Sequence, residues 1–119
     1  MGANQYWQQM DALVQALEVV IDRPRGSAHP RYPDFMYPLD YGYLKGTQAA
    51  DQGGIDVWSG SRPERGVTGV ICTVDLVKRD AEIKILLGCS DDEAQAILRL
   101  HNNGEQAAIL LRRPDGNTD

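Results

Sequence analysis

Four of the chain's six prolines, Pro24, Pro30, Pro33 and Pro38, fall between Arg23 and Pro38, together with Gly26 and Ser27. Proline fixes φ and has no backbone N–H, so this stretch is barred from being a helix and makes a poor central strand. It is expected as an ordered loop or a sheet edge, with the regular structure built on either side. On its N-terminal side, Tyr6, Trp7, Met10, Leu13, Val14 and Leu17 recur at helical spacing after Asn4, a candidate N-cap. An amphipathic helix over residues 5–16 follows, its apolar stripe covering either the domain's own sheet or a subunit interface. Leu17 to Ile21 then reads as a strand.

On the C-terminal side, Ile55 to Ser59, Gly66 to Val77 and Ala81 to Gly88 are rich in Val, Ile, Thr and Leu, with turns at Gly60 to Gly66 and Lys78 to Asp80. These runs read as short antiparallel strands in sequence order. Ser90-Asp-Asp-Glu93 fits a capping box, in which a hydroxyl and a carboxylate satisfy the first backbone donors of a helix. Ala94, Ile97, Leu98 and His101 share one face of that helix, and Asn102-Asn103-Gly104 ends it. The run Ala107 to Leu111 is short, flanked by turn residues and followed by Arg112-Arg113-Pro114, which favours strand over helix. The sum is an α+β, mainly β chain: a small antiparallel barrel with one helix near each end and no internal repeat.

At 119 residues, one domain spanning 1–119 is expected, large enough to bury about 65% of its unfolded surface. A hydrophobic content of 42% and a charged content of 24% are those of a globular chain, and only residues 115–119, after Pro114, read as a frayed tail. The net charge of −5 argues against nucleic acid as partner, because that binding draws on clustered Lys and Arg. A small anion carried on a metal is compatible with it. Cys72 lies within one apolar run and Cys89 ends another, the placement of buried thiols and not of a disulfide, so a reducing, cytoplasmic compartment is expected. No apolar run reaches the ~18 residues of a membrane span, and the start lacks the order of a signal peptide.

The residues with chemical potential lie in two places. Tyr37-Pro-Leu-Asp-Tyr41-Gly-Tyr43 is followed by Asp51-Gln-Gly-Gly-Ile-Asp56-Val-Trp58, which sets two acids and three phenols around turns. Magnesium takes oxygen ligands and keeps several waters, so one or two carboxylates plus a substrate phosphate suffice. Acids beside glycines also cap turns, and the tyrosines read equally as aromatic core with their hydroxyls at the surface. Farther on, strand periodicity puts Asp80, Glu82 and Lys84 on one face, either solvated or at a barrel mouth. Asp22, Arg31 and Tyr32 add an acid, a cation and a phenol around the proline-rich loop. His29 and His101 have no partner at ligand spacing and read as structural, and Trp7 and Trp58 read as packing residues.

The pattern YPxxYGY followed by DxxxxDV, residues 37–43 and 51–57, resembles the active-site segment of the soluble inorganic pyrophosphatases, and the likeness runs from Val19 to Gly88. It implies a five-stranded barrel of the OB type with helices alongside, hydrolysis of pyrophosphate or a related phosphoanhydride, and magnesium as cofactor. It also implies roles. Asp51 and Asp56 match metal ligands, Tyr41 a tyrosine that orients the surroundings of the nucleophile, and Asp22 an outer-sphere acid. Arg31 stands where the family has a phosphate-binding lysine, and Lys84 matches a second such lysine. Glu82 falls where an aspartate ligand is expected, and Asp80 takes the place of a further one if the preceding turn is shorter.

The sequence departs from the family at defined points. Gly53 stands where a third aspartate helps deprotonate the attacking water, and Pro33 replaces an acid after Arg31-Tyr32. The hairpin that brings a phosphate-binding arginine is largely absent, and the family's C-terminal tyrosine-lysine pair has no clear match. A scaffold reused to bind a phosphate-bearing metabolite without turnover is therefore a second reading, and an assembly module a third. A homo-oligomer is expected, with pyrophosphate or another small phosphate-bearing ligand as partner and neither nucleic acid nor membrane.

Overall fold

The strand-forming runs satisfy their backbone hydrogen bonds in a single sheet, and the connections between them decide its order. The computed structural model of the chain describes residues 2–49 and 53–114. In chain order these form α1 (Gly2–Ala16), β1 (Val19–Arg23), β2 (Asp40–Leu44), β3 (Ile55–Ser59), β4 (Val67–Asp75), β5 (Asp80–Leu87), α2 (Asp91–Leu100) and β6 (Gln106–Arg112). The fold is α+β and mainly β, with six strands ordered β1-β2-β3-β5-β4-β6. Neighbours are antiparallel except β3 and β5, which are parallel. No helix among the described residues is long and apolar enough to cross a membrane.

This corrects the expectation of five antiparallel strands closed into a barrel. The sheet is mixed, and β1 and β6 are its edges. The strand that sequence reading missed is β2, which has Gly42 at its centre. A Cβ at 42 would collide with the Val20 carbonyl of β1, so the residue that weakens the strand signal is the one that lets β1 approach. The order also differs, because β3 and β4 are not joined as a hairpin. Their link, carrying a 3-10 turn at Pro63–Arg65, passes the end of β5 and is fastened there. Gly60 N–H donates to Leu87 O at 2.7 Å, Arg62 N–H to Gly88 O at 3.0 Å and Gly88 N–H to Gly66 O at 2.8 Å. Gly88 has φ +60°, and a Cβ there would strike the Arg62 carbonyl.

Other boundaries shift for local reasons. α1 begins at Gly2, so Asn4 lies inside the helix and is not its N-cap. β4 ends at Asp75 and not at Val77, because the Asp75 carboxylate accepts Val77 and Lys78 N–H at 2.9 and 3.0 Å and starts the turn early. Those bonds hold the Asp75 carboxyl below its ordinary pKa, the Lys78 N–H most of all. The capping box is present: Ser90 Oγ accepts Glu93 N–H at 3.1 Å and Glu93 Oε1 accepts Ser90 N–H at 2.8 Å. The proline-rich segment is an ordered loop whose two limbs bond through Gly26 N–H to Tyr37 O, Tyr37 N–H to Ser27 O and His29 N–H to Phe35 O. The tail over 115–119 lies outside the described residues.

The two faces of the sheet carry separate cores. Under α1, Trp7, Met10, Leu13, Val14 and Leu17 pack on Leu44, Val57, Val67, Val70, Ile85 and Leu87, so the apolar stripe of α1 covers the chain's own sheet. On the opposite face, α2 and the proline-rich loop pack on Trp58, Ile71 and Leu86 through Ala94, Ile97, Tyr37 and Leu39. Burying one such side chain contributes about 1.5–3 kcal/mol. Both cysteines are free thiols, Cys89 buried and Cys72 half-buried; burial, and then the Glu93 charge, push the Cys89 thiol up to about 12.

The edge at β6 is partly covered by its own chain. Backbone groups of Arg113 and of alternate residues before it face β4, as the Arg113 N–H on Thr68 O shows, so Ala108 turns its N–H and C=O outward. Both meet Asn102: Ala108 N–H donates to Oδ1 at 3.0 Å, and Nδ2 donates to Ala108 O at 3.1 Å. The same Nδ2 donates to Leu98 O, at the end of α2.

Candidate functional site

Strand side chains repeat every two residues, and register carries this alternation across the sheet. Tyr43 lies opposite Asp56, Asp56 beside Lys84, and Lys84 opposite Ile71. In the next row Tyr41 faces Trp58, and Trp58 lies beside Leu86. Glu82, two positions before Lys84, lies opposite Thr73. One face of β2, β3 and β5 therefore changes within two residues from an apolar floor to a polar patch.

At its centre is the Lys84 ammonium. It donates to Asp56 Oδ2 at 2.6 Å, to Tyr41 Oη at 3.1 Å and to Glu82 Oε1 at 3.2 Å. An ammonium has three N–H groups, so these three acceptors saturate it. The Lys84 and Glu82 side chains are only 8% and 7% exposed, against 23% for Asp56. Asp56 is thus the most exposed of the three charged side chains in the cluster. Burial alone would lower the pKa of Lys84; the Tyr41 oxygen and the Asp56 carboxylate outweigh it, and the net shift is upward. The Tyr41 phenol is raised, by burial first, with Lys84 opposing. At neutral pH the patch holds an ammonium and a neutral phenol.

Beneath this cluster lies a support that sequence reading did not connect to it. The Tyr41 ring packs on Trp58 with centroids 4.4 Å apart and stacks on Tyr37 at 5.5 Å. Trp58 Nε1–H donates to His101 Nε2 at 3.1 Å, and His101 Nδ1 lies 2.9 Å from Gln106 Oε1. An indole N–H only donates, so Nε2 is an acceptor and Nδ1 carries the proton toward Gln106. His101 is buried and structural, and burial lowers its pKa. A tryptophan two residues after an acid on one strand was the available signal; its distant histidine partner left none.

The structure gathers Tyr41, Asp56, Glu82 and Lys84 and leaves the other expected residues outside that set of bonds. Asp80 shares the face of Glu82 and Lys84 at the start of β5, opposite Asp75. Asp22 is exposed at an irregularity of β1 between Ile21 and Arg23; the Tyr37 phenol is raised mainly by burial, with Arg23 and Lys84 opposing the rise and Asp22 and Asp56 adding to it. Arg31 is exposed in the loop, its backbone N–H on His29 Nδ1 at 3.0 Å. Asp51 lies outside the described residues. Gly53 accepts Ala49 N–H through its carbonyl and brings no carboxylate.

Magnesium requires hard oxygen donors, and Asp56 and Glu82 supply two that already converge on one cationic centre. The donor chemistry fits. Among the described residues no group of three His, Cys, Asp or Glu side chains is assembled for a metal, so two carboxylates with waters and substrate oxygens are the complement on offer. A scan against protein-family models and a search of the curated proteins both return no match. The functional reading therefore rests on the residues and their geometry.

Proposed function

We propose that this chain hydrolyses inorganic pyrophosphate or a related phosphoanhydride with magnesium, on a scaffold of the OB type extended by β6. One observation carries the reading: Tyr41, Asp56 and Glu82 converge on the Lys84 ammonium, four residues that the pyrophosphatase resemblance assigns to a single site. The position of β5 between β3 and β4 supports the scaffold, since an OB barrel is a partly open Greek-key arrangement.

Asp56 and Glu82 would hold the cation, which neutralises phosphate oxygens and acidifies water when bound. Lys84 is saturated, so its N–H groups reach a phosphate only when a carboxylate turns away. In the proposed mechanism Asp56, the more open of the two acids bonded to Lys84, releases the ammonium, and the freed N–H stabilises charge on the phosphate. Tyr41, braced on Trp58, keeps Lys84 aimed at the patch while this exchange occurs. Arg31 approaches from the loop as a second cation, its planar fork suited to two oxygens at once.

Gly53 favours a second reading, in which the same site binds a phosphate-bearing metabolite without efficient turnover; loss of general-base help costs about 10²- to 10⁴-fold in rate. Phosphate release from magnesium pyrophosphate by the purified protein separates the two. Release by the parent, abolished in Asp56→Asn, is the expected result. A silent parent that gains activity with Gly53→Asp would establish the binding reading. A silent parent that also gives no heat with pyrophosphate in titration calorimetry would remove both.

A further inference from the structure

We propose that the chain carries a second binding site, for an amphipathic organic anion, in a cavity of about 880 Å³ at the opposite end of the sheet from the β4–β5 turn. The volume falls within the range of small-molecule sites. Leu86 and Leu110, part of the apolar layer beyond Lys84, form part of its floor.

Three arginines from two segments line this cavity: Arg65 in the 3-10 turn, and Arg112 and Arg113 at and just after the end of β6. Their gathering is notable in a chain with 12 basic residues and a net charge of −5. Two of them are engaged in ion pairs, the Arg112 pair exposed and the Arg113 pair half-buried. Arg112 Nη1 donates to Asp91 Oδ1 at 3.0 Å on the α2 side, and Arg113 Nη1 donates to Asp11 Oδ2 at 2.6 Å and to Val67 O at 3.2 Å on the α1 side. Each guanidinium has five N–H donors, so both keep donors in reserve. Arg65 has no ion-pair partner among the described residues. Among the described residues Asp91 is the one acid on the wall, and Arg112 answers it.

The remaining walls define the other half of the ligand. Leu110 is half-buried and offers an apolar group most of its contact, while Trp7, Val67, Leu86 and Ala94, nearly buried in the two cores, add only their outer edges. The wall hydroxyls are committed within the protein, Thr68 Oγ1 to Leu86 O and Cys89 N–H and Ser90 Oγ to Glu93 N–H. Charged recognition is thus left to the arginines, whose planar forks match carboxylate and phosphate geometry. The ligand is a small molecule with an anionic head and an apolar tail or ring.

The test uses the full ¹⁵N-labelled protein titrated with octyl phosphate below its micelle concentration, beside inorganic phosphate and octanol alone. The Trp7 indole N–H reports on the cavity. Trp58, bonded to His101, reports on the Lys84 cluster, so a phosphate bound there is read separately. A saturable shift of the Trp7 signal by octyl phosphate is expected, with inorganic phosphate and octanol each at least tenfold weaker. Arg65→Gln and Arg112→Gln, both at exposed positions, are each expected to weaken octyl phosphate binding about tenfold. An unmoved Trp7 signal, octanol or inorganic phosphate binding as tightly as octyl phosphate, or indifference to both arginine substitutions would overturn the proposal.

Discussion

Ile85 on β5 points into the aliphatic core beneath α1 and is fully buried, whereas Lys84 beside it points to the aromatic face and is only 6% exposed. The burial is nearly equal and the stabilisation is of different kinds. Under α1 the contacts are apolar and non-directional, so shape is the only requirement. On the opposite face each buried polar atom needs a partner of the right sign: Lys84 has three, and His101 has Trp58 and Gln106. Buried hydrogen-bonded charge is costly to disrupt, and it is also what a phosphate chemistry requires. The contrast teaches where this small domain keeps its buried polar groups: on the face whose aromatic floor can hold them in fixed positions.

The sharpest way to break the contrast is Lys84→Met, which keeps the length of the side chain and removes its charge. Asp56 and Glu82 then lose their shared cation, and a loss of about 3–5 kcal/mol in urea unfolding is expected at neutral pH. Adding Asp56→Asn and Glu82→Gln is expected to recover most of it; no recovery would mean that Lys84 acts as packing and not as counter-charge.

A smaller effect comes from His101. Its folded pKa lies below the ordinary value near 6.5, so the unfolded chain binds more protons between the two values. This contribution is complete above about pH 6.5 and is lost as pH falls toward the folded pKa, with a slope of at most about 1.4 kcal/mol per pH unit. Urea midpoints measured from pH 7.5 to 5 should show the decline in the parent and not in His101→Gln. The smallest change is expected on the aliphatic face, where Ile85→Val removes one buried methylene and costs about 0.5–1.5 kcal/mol with no pH dependence over that range.

What the sequence disclosed follows the range of each interaction. The capping box of α2 was legible because its residues lie within one turn, and the shared face of Glu82 and Lys84 because strand alternation is a local rule. β2 was not, since Gly42 and the neighbouring turn residues conceal a strand that exists only where β1 comes close. Nor was the insertion of β5 between β3 and β4, which depends on a link whose bonds to Gly88 join distant segments. The likeness in residues 37–57 brought Tyr41 and Asp56 to attention, and later residues supplied Lys84 and Glu82. It could not show that the lysine is saturated. The bond between Trp58 and His101 spans 43 positions, and nothing in either neighbourhood announces it.

The Asn102 side chain on Ala108 has a consequence for how copies of this chain meet. Exposed apolar residues on β6, Ile109 and Leu111, beside a bare edge would invite a second molecule to add a strand and propagate the sheet. Asn102 offers Ala108 the donor and acceptor that an arriving strand would bring, and Asn103 does the same for Gln106 through its backbone. Along β6, among the described residues, the stretch around Leu110 and Arg112 stays open, so one amide just past the end of α2 shortens the edge that an arriving strand could pair with.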